Sequence, residues 1–429
     1  MRMLVALLLC SVALLCRADD KDTEKKEEEP KLPRCPHVNP YKKLEEWLKY
    51  TPEKCNHTTL EDELVTEEEK EYHKFGLKSF AFDILASDRL GVERNPGAQA
   101  HELCGKEKFD AEYATSVIIV HHNEGLSILL RMLKGIFERT PEHLLHEVIL
   151  YEDASEEEHQ LTKYLEKFGS ITGYGKKMRI IRSEERQGLI RAKTLASREA
   201  KGDVLVFMDS HCEVTERWLE PLLAPIKENP NTVVLPIVDL IHPFNFEYSK
   251  AMVTKSGFDW SLIFKWTYIP WEYFDTPENN VKPIESPAMP GGLLAIRRDY
   301  FKTLGEYDMG LEIWGSENIE LSLKTWMCGG RILVAPCSRI GHVFRYRRPY
   351  KGKPFMDTTV HNAARVAKTW LGEHAKHFFR ARGISASTDV GDISEGLALK
   401  KKLDCKDMDW YLKNVYPDLK IPDYRHEEL

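Results

Sequence analysis

From Thr115 onward the chain alternates short, continuous apolar runs with stretches in which apolar residues recur every three or four positions. Val117-Ile118-Ile119-Val120 is a β-branched run too short for a helix and reads as a buried strand. In the following segment Leu129, Leu130, Leu133, Ile136 and Phe137 fall on one helical face, and Thr140-Pro141 closes the pattern. Val148-Ile149-Leu150-Tyr151 predicts a second strand running into Glu152-Asp153, and Ser155 opens a helix expected to reach Leu165. A strand over Met178-Arg179-Ile180-Ile181, a helix over residues 189–200 and a strand over residues 204–208 continue the alternation. Strands alternating with helices predict an α/β fold whose mainly parallel sheet is covered on both faces. Ligands of such sheets sit beyond the carboxyl ends of the strands, so the search for chemistry starts there. Upstream, residues 19–33 are charged and nearly free of apolar side chains, which predicts a solvated stem. Residues 60–75 are acidic with scattered Leu and Val and fit a short surface helix.

The two ends and the cysteines place the chain in a compartment. Arg2 precedes an apolar run, residues 3–16, shorter than the roughly 20 residues that span a bilayer. Cys16-Arg17-Ala18 has the small-residue spacing of a signal-peptidase site, so residues 1–18 are expected to be a cleaved signal peptide, a short membrane anchor being the alternative. Either reading puts the remainder in the lumen of the secretory pathway, Golgi or endoplasmic reticulum. The chain closes on His426-Glu427-Glu428-Leu429, a near variant of the KDEL/HDEL address, which would make a retrieval receptor one partner. Beyond the signal, Cys35, Cys55, Cys104, Cys212, Cys328, Cys337 and Cys405 suit an oxidising compartment, and their odd number leaves at least one unpaired in a monomer. Asn56-His57-Thr58 is a glycosylation sequon. With 42% hydrophobic residues there is enough to fill a core, and a net charge of -7 gives no support for nucleic-acid binding.

The strand over residues 204–208 delivers Asp209-Ser210-His211 at its carboxyl end. In extended chain, residues two apart share a side, so a carboxylate and an imidazole would face one point. That mixed oxygen and nitrogen set suits a divalent ion such as manganese and leaves positions open for a diphosphate. The same tripeptide also fits a plain strand-end turn. His342, after the apolar run at residues 332–335, is a candidate third ligand, although a core or loop histidine is the commoner role. In Trp314-Gly315-Ser316-Glu317-Asn318 the indole offers a face for a sugar ring, while Glu317 and Asn318 offer groups for its hydroxyls. A tight turn with Glu317 in the first turn of a helix explains the same letters. Met289-Pro290-Gly291-Gly292 allows close backbone approach or an ordinary turn, and Arg191 stands at a predicted helix start where an anion would be welcome.

In order and spacing these clusters resemble the catalytic domain of the polypeptide N-acetylgalactosaminyltransferases. The likeness is carried by Ser87-Asp88-Arg89, His121-His122-Asn123-Glu124, Asp153-Ala154-Ser155, Gly188-Leu189-Ile190-Arg191-Ala192 and Asp209-Ser210-His211-Cys212-Glu213. It continues through Trp218-Leu219-Glu220-Pro221, Gly257-Phe258-Asp259-Trp260, Gly291-Gly292-Leu293, Trp314-Gly315-Ser316-Glu317-Asn318, Cys328-Gly329-Gly330, Gly341-His342-Val343-Phe344-Arg345 and Trp410-Tyr411-Leu412. The resemblance implies a GT-A (Rossmann-like) fold, UDP-GalNAc as donor, Mn2+ as cofactor and transfer, with retention, to Ser or Thr hydroxyls of proteins. By matching position, Asp209, His211 and His342 would hold the metal. Asp153, Arg191, Ser210, Trp314, Arg345 and Tyr350 would bind the donor, and Glu317, Asn318 and Trp314 would surround the sugar as catalytic residues. Phe344 and Trp266 would contact the acceptor. The family pattern also implies the disulfides Cys104–Cys337 and Cys328–Cys405, with Cys35 and Cys55 as a third pair and Cys212 free. The expected organisation is a signal over 1–18, a charged stem over 19–74, the catalytic domain over 75–390 and an extension over 391–429 without the lectin domain that family members usually carry. Val120, Glu152, Pro290, Ser316 and Arg348 depart from the family's usual Thr, Asp, Ala, Gly and His. These departures lie near the donor pocket and motivate two alternatives: a silent lumenal binding or regulatory protein on the same scaffold, or a transferase using another UDP-sugar.

Overall fold

The computed structural model describes residues 32–52, 55–57, 64, 66–350 and 352–423. The segments expected to be the signal peptide and the retrieval tail lie outside them, as does Thr58 of the sequon; Asn56 itself pairs through its backbone with Arg34. Among the described residues no helix is long and apolar enough to cross a membrane.

The β-branched run falls in β1 (Thr115–His121), followed by β2 (Leu145–Asp153), β3 (Met178–Ser183) and β4 (Val204–Asp209). Next come β5 (Cys212–Val214), β6 (Thr232–Ile241), β7 (Tyr248–Ser249), β8 (Thr254–Phe258) and β9 (Phe264–Tyr268). Last are β10 (Ile284–Glu285), β11 (Leu294–Arg297) and β12 (Arg331–Val343). The main sheet runs in the order β10-β12-β6-β11-β4-β1-β2-β3, with β5 beside β12 and β7 beside β6, while β8 and β9 form a separate hairpin. β3, β2, β1 and β4 are mutually parallel, as are β6 and β12, and β11 runs antiparallel between the two groups. β1 is buried along its whole length because helices cover both faces, which is why its sequence is continuously apolar and not alternating.

The helix Leu126–Arg139 forms as its spacing predicts, with Leu129, Leu130, Leu133 and Ile136 buried. The helix expected from Ser155 begins later, as Thr162–Thr172, after a single 3-10 turn. The reason is electrostatic. Buried Glu152 accepts the Leu161 N–H at 3.0 Å and the Thr162 hydroxyl at 2.7 Å, placing a carboxylate on the positive end of the helix there. The apolar run at residues 332–335 is only the start of a 13-residue strand, which shifts register between Ala335 and Arg339 and continues to Val343.

Segments on both sides of the expected catalytic domain pack onto it. The stem assigned to residues 19–74 is folded in much of its described part: Leu44 and Trp47 join the core cluster that contains Val117 and Leu150. The Trp47 indole N–H donates to the Asp88 carbonyl at 2.8 Å, and Cys35–Cys55 closes the segment. A few large side chains outweigh the charged composition around them. At the other end, Met408, Tyr411, Tyr416 and Leu419 belong to the same cluster as Ile118 and Phe207, so the expected extension contributes to the core. Tyr411 donates to the Pro287 carbonyl at 2.8 Å, and Cys328–Cys405 ties this segment to the catalytic fold. Cys104–Cys337 is also formed, and Cys212 is free and buried.

Candidate active site

The chain leaves β1 for β2 and β3 on one side and returns to β4 on the other, so a crevice opens where the strand order reverses. Asp209 ends β4 opposite Val120 of β1. The chain then turns through Ser210 and His211 into β5, which pairs antiparallel with β12 and sets His342 opposite Cys212. The Val343 N–H donates to the His211 carbonyl at 3.1 Å. This short pairing carries His342 in from a strand that is not adjacent to β4 in the sheet. His342 Nε2 stands 3.3 Å from Asp209 Oδ2, and the His211 and His342 rings are 4.7 Å apart. One ligand atom from each of the three side chains lies within 4.8 Å of the other two.

The residues fit a divalent cation. One carboxylate and two imidazoles form the donor set, and buried His342 Nδ1 has no hydrogen-bond partner among the described residues. Gly292 packs against Asp209, where a Cβ would strike the carboxylate. Burial alone would raise the Asp209 pKa, but the His342 imidazole and the Lys193 ammonium hold it well below the ordinary range. Burial, helped by the Arg345 charge, pushes His211 down to about 4. At neutral pH the carboxylate is therefore charged and this imidazole neutral, the states that bind metal.

Glu124, whose role the sequence reading did not single out, is the hub behind these ligands. Its carboxylate accepts the Ser210 hydroxyl at 2.6 Å, faces His211 Nδ1 at 3.1 Å and receives Arg345 Nη2 at 2.7 and 2.6 Å. Burial would raise its pKa, yet Arg345 and His211 hold it far below the carboxylate range. With Nδ1 turned to Glu124, the His211 ring is oriented and Nε2 is its free nitrogen, the usual arrangement for a metal-bound histidine. The signal was present as a carboxylate three residues beyond the end of β1; only the fold turns it toward β4.

In front of the triad is a cavity of about 460 Å³ lined by Ser210, Trp314, Arg345 and Tyr350, four of the expected donor residues. Arg186, Arg347 and Arg348 add positive charge to the wall. The Arg186 guanidinium lies 5.6 Å from the centre of the Tyr350 ring, and that of Arg348 lies 4.7 Å from Trp314. Two further expected donor residues are held by protein groups. Arg191 donates to the Met309 carbonyl at 2.9 Å and pairs with Glu312 at 2.9 Å. Asp153 is fully buried, accepts the N–H groups of Gln187 and Gly188 at 2.7 and 2.8 Å and pairs with Arg186. The carboxylate at the start of helix Gly188–Glu199 captures the orphan amides there, and Arg186 stands at the cavity wall beside it.

Glu317 begins the helix Glu317–Met327. It is buried, accepts the Gly315 N–H at 2.8 Å and has its pKa raised by burial, against the pull of Lys193. Asn318 donates to the Met289 carbonyl at 3.0 Å, and Lys193 donates to the Gly291 carbonyl at 2.8 Å. These contacts bind the Gly-Gly turn and the Trp314 loop into one floor under Asp209. Ser316 adopts a left-handed φ of 65°, which explains physically why glycine is usual there. Trp266 and Phe344, the expected acceptor contacts, share a neighbouring apolar groove of about 480 Å³ with Pro290, and Phe344 also lines the donor-side cavity. Of the remaining departures, Val120 lines the donor-side cavity, while Glu152 serves as the helix cap described above.

Comparison with known proteins agrees with this geometry. Residues 116–305 match Glycosyl transferase family 2, and residues 277–349 match the N-terminal domain of galactosyltransferase. The chain is 63% identical to "Probable N-acetylgalactosaminyltransferase 8" of Caenorhabditis elegans, over 94% of this chain and 96% of that protein. It is 44% identical to "Polypeptide N-acetylgalactosaminyltransferase 11" of Xenopus tropicalis, over 83% of this chain but 59% of that protein. It is also 41% identical to "Inactive polypeptide N-acetylgalactosaminyltransferase-like protein 5" of Macaca fascicularis, over 80% of this chain and 77% of that protein. The crystal structure of GalNAc-T7 with UDP, GalNAc and Mn2+ superposes with a TM-score of 0.75 at 34% identity, covering 85% of this chain and 67% of that one. The fold is GT-A, and the chain belongs to the polypeptide N-acetylgalactosaminyltransferase family.

Proposed function

We propose that this protein transfers GalNAc from UDP-GalNAc to Ser or Thr hydroxyls of proteins, with retention at the anomeric carbon and Mn2+ as cofactor. The observation that carries the reading is the convergence of Asp209, His211 and His342 at the floor of a cavity walled by arginines. When bound, manganese would neutralise the charge that grows on the diphosphate as its bond to the sugar breaks. Arg345 and Arg186 stand where they add positive charge to the same site. Trp314 and Tyr350 offer aromatic faces to the donor. Glu317 and Asn318 support the floor on which the sugar would lie, and Phe344 and Trp266 lead toward the acceptor. In the transfer the bond from the sugar's anomeric carbon to the diphosphate oxygen breaks. A new bond forms to the acceptor hydroxyl oxygen, whose proton passes to the departing diphosphate.

The test is a panel of UDP-sugars with Mn2+ over a mixed Ser/Thr peptide library. UDP-GalNAc should be the preferred donor and His211→Ala should abolish turnover; full activity in that variant refutes the metal assignment. A silent scaffold is the competing reading, favoured by kinship with a relative named as inactive. A rise in melting temperature with UDP plus Mn2+ but no turnover on any donor would support it. The three disulfides fit a secretory lumen. Retrieval through the tail at 426–429 is tested by deleting it: an unchanged distribution between endoplasmic reticulum and Golgi removes that part of the proposal. Glycosylation at Asn56 is tested by a mass shift on glycosidase treatment.

A further inference from the structure

A cavity of about 800 Å³ adjoins the groove of Trp266 and Phe344 and is separate from the donor site. Its walls include Met252, Tyr268, Pro270, Trp271 and Phe274. Tyr268, Trp271 and Met252 are 68%, 71% and 45% exposed, an unusual cluster of large side chains left in water. Met252 comes from the segment between β7 and β8, while Tyr268 and Trp271 arise from one local device. Where β9 ends at Tyr268, Pro270 leads into the 3-10 turn Trp271–Asp275, followed by a second turn Pro277–Asn280. Asn279 and Asn280 lock the two turns together, donating to the Tyr273 and Phe274 carbonyls at 2.7 and 3.0 Å. The opposite wall is Pro336, next to the Cys104–Cys337 disulfide, so the cavity is preformed on both sides. Lys250 stands at its edge beside Arg339, whose charge is already balanced by Asp239.

This cavity is continuous with the proposed acceptor groove, since Ala251, Met252 and Tyr268 line both. We infer that it is a second docking site for the acceptor polypeptide, taking an apolar or aromatic side chain remote from the acceptor hydroxyl, with an acidic neighbour facing Lys250. The inference rests on the acceptor reading given above. Extended chain advances about 3.3 Å per residue, so a peptide running along β9 takes about two residues to pass from Trp266 to Tyr268 and about three more to reach Trp271. The apolar anchor therefore stands about five residues from the acceptor residue that meets Trp266, beyond the immediate neighbours of the modified Ser or Thr.

The experiment uses paired peptides with one central Thr. One of each pair carries Trp-Asp at four to seven residues on either side of the Thr; the other carries Ser-Ser. Turnover with UDP-GalNAc and Mn2+ is measured together with equilibrium binding of the labelled peptides to protein loaded with UDP and Mn2+. For one side of the acceptor, KM and Kd should fall about ten-fold with Trp-Asp while kcat is unchanged. Trp271→Ser and Met252→Ser, both at exposed positions, should each shrink that ratio, and Lys250→Glu should lessen it without abolishing it. Equal KM and Kd for both peptides, or a preference that survives Trp271→Ser, overturns the inference. If no peptide is glycosylated but the Trp271-dependent binding preference remains, the second site stands and the transferase reading falls. A Trp271-dependent dimer would identify a second copy as the occupant and would also overturn it.

Discussion

Glu124→Gln is the most searching test of the metal centre, because it changes one buried atom without touching a ligand. The wild-type carboxylate meets Arg345 at 2.6 and 2.7 Å, Ser210 at 2.6 Å and His211 Nδ1 at 3.1 Å. Glutamine keeps the shape and one acceptor oxygen but loses the charge, leaving the Arg345 guanidinium without its counter-ion. Removing one partner of a buried pair costs about 3–5 kcal/mol; Arg345 retains some solvent contact, so the lower end is expected. The second effect is on the metal. Losing the carboxylate behind a ligating histidine lowers metal affinity by about 10- to 100-fold. Isothermal titration with Mn2+ should show that loss, and saturating Mn2+ should restore part of kcat. Ser210→Ala removes one hydrogen bond from the same carboxylate and should cost only about 1 kcal/mol. Unchanged manganese affinity in a folded Glu124→Gln protein would refute the claim that this residue orients His211.

Three further outcomes follow from particular contacts. Trp47→Ala should lose about 3–5 kcal/mol in denaturant unfolding, because the indole is fully buried and bonded to Asp88; a loss under 1 kcal/mol would return that segment to the stem. Gly292→Ala, whose Cβ would meet the Asp209 carboxylate, should weaken Mn2+ at least about ten-fold in titration while leaving the far-UV spectrum intact. Acidification should destabilise the metal-free protein. Burial lowers His57, His121, His159 and His377, and brings His122 and His211 to about 4, so the unfolded chain binds more protons as pH falls through about 6.5. Stability is thus present above that pH and lost toward pH 4. Glu320, raised to about 7 by burial, works in the opposite direction and offsets part of the change. A melting temperature that is flat or rising between pH 6.5 and pH 4 would contradict this sign.

What sequence alone determined is local. β-Branched runs and helical spacing located β1 to β4 and the helix Leu126–Arg139, because a fully buried parallel strand and a half-buried helix impose different periods. Asp209 and His211 were legible as a pair since they flank one residue at a strand end, and family likeness named His342 and the disulfide partners. The tertiary structure decided the rest. Only the β5–β12 register brings His342 to Asp209 across more than a hundred residues of chain. Glu124 and Lys193 look like ordinary charges until the fold buries them beneath the site. Arg186 is an ordinary arginine in the sequence; only the fold, through its pairing with Asp153 at the start of a helix, sets it on the cavity wall. The segment expected to be a stem makes the same point. Composition averages over many exposed charges, whereas folding is governed by a few large side chains such as Trp47 that find a place in the core.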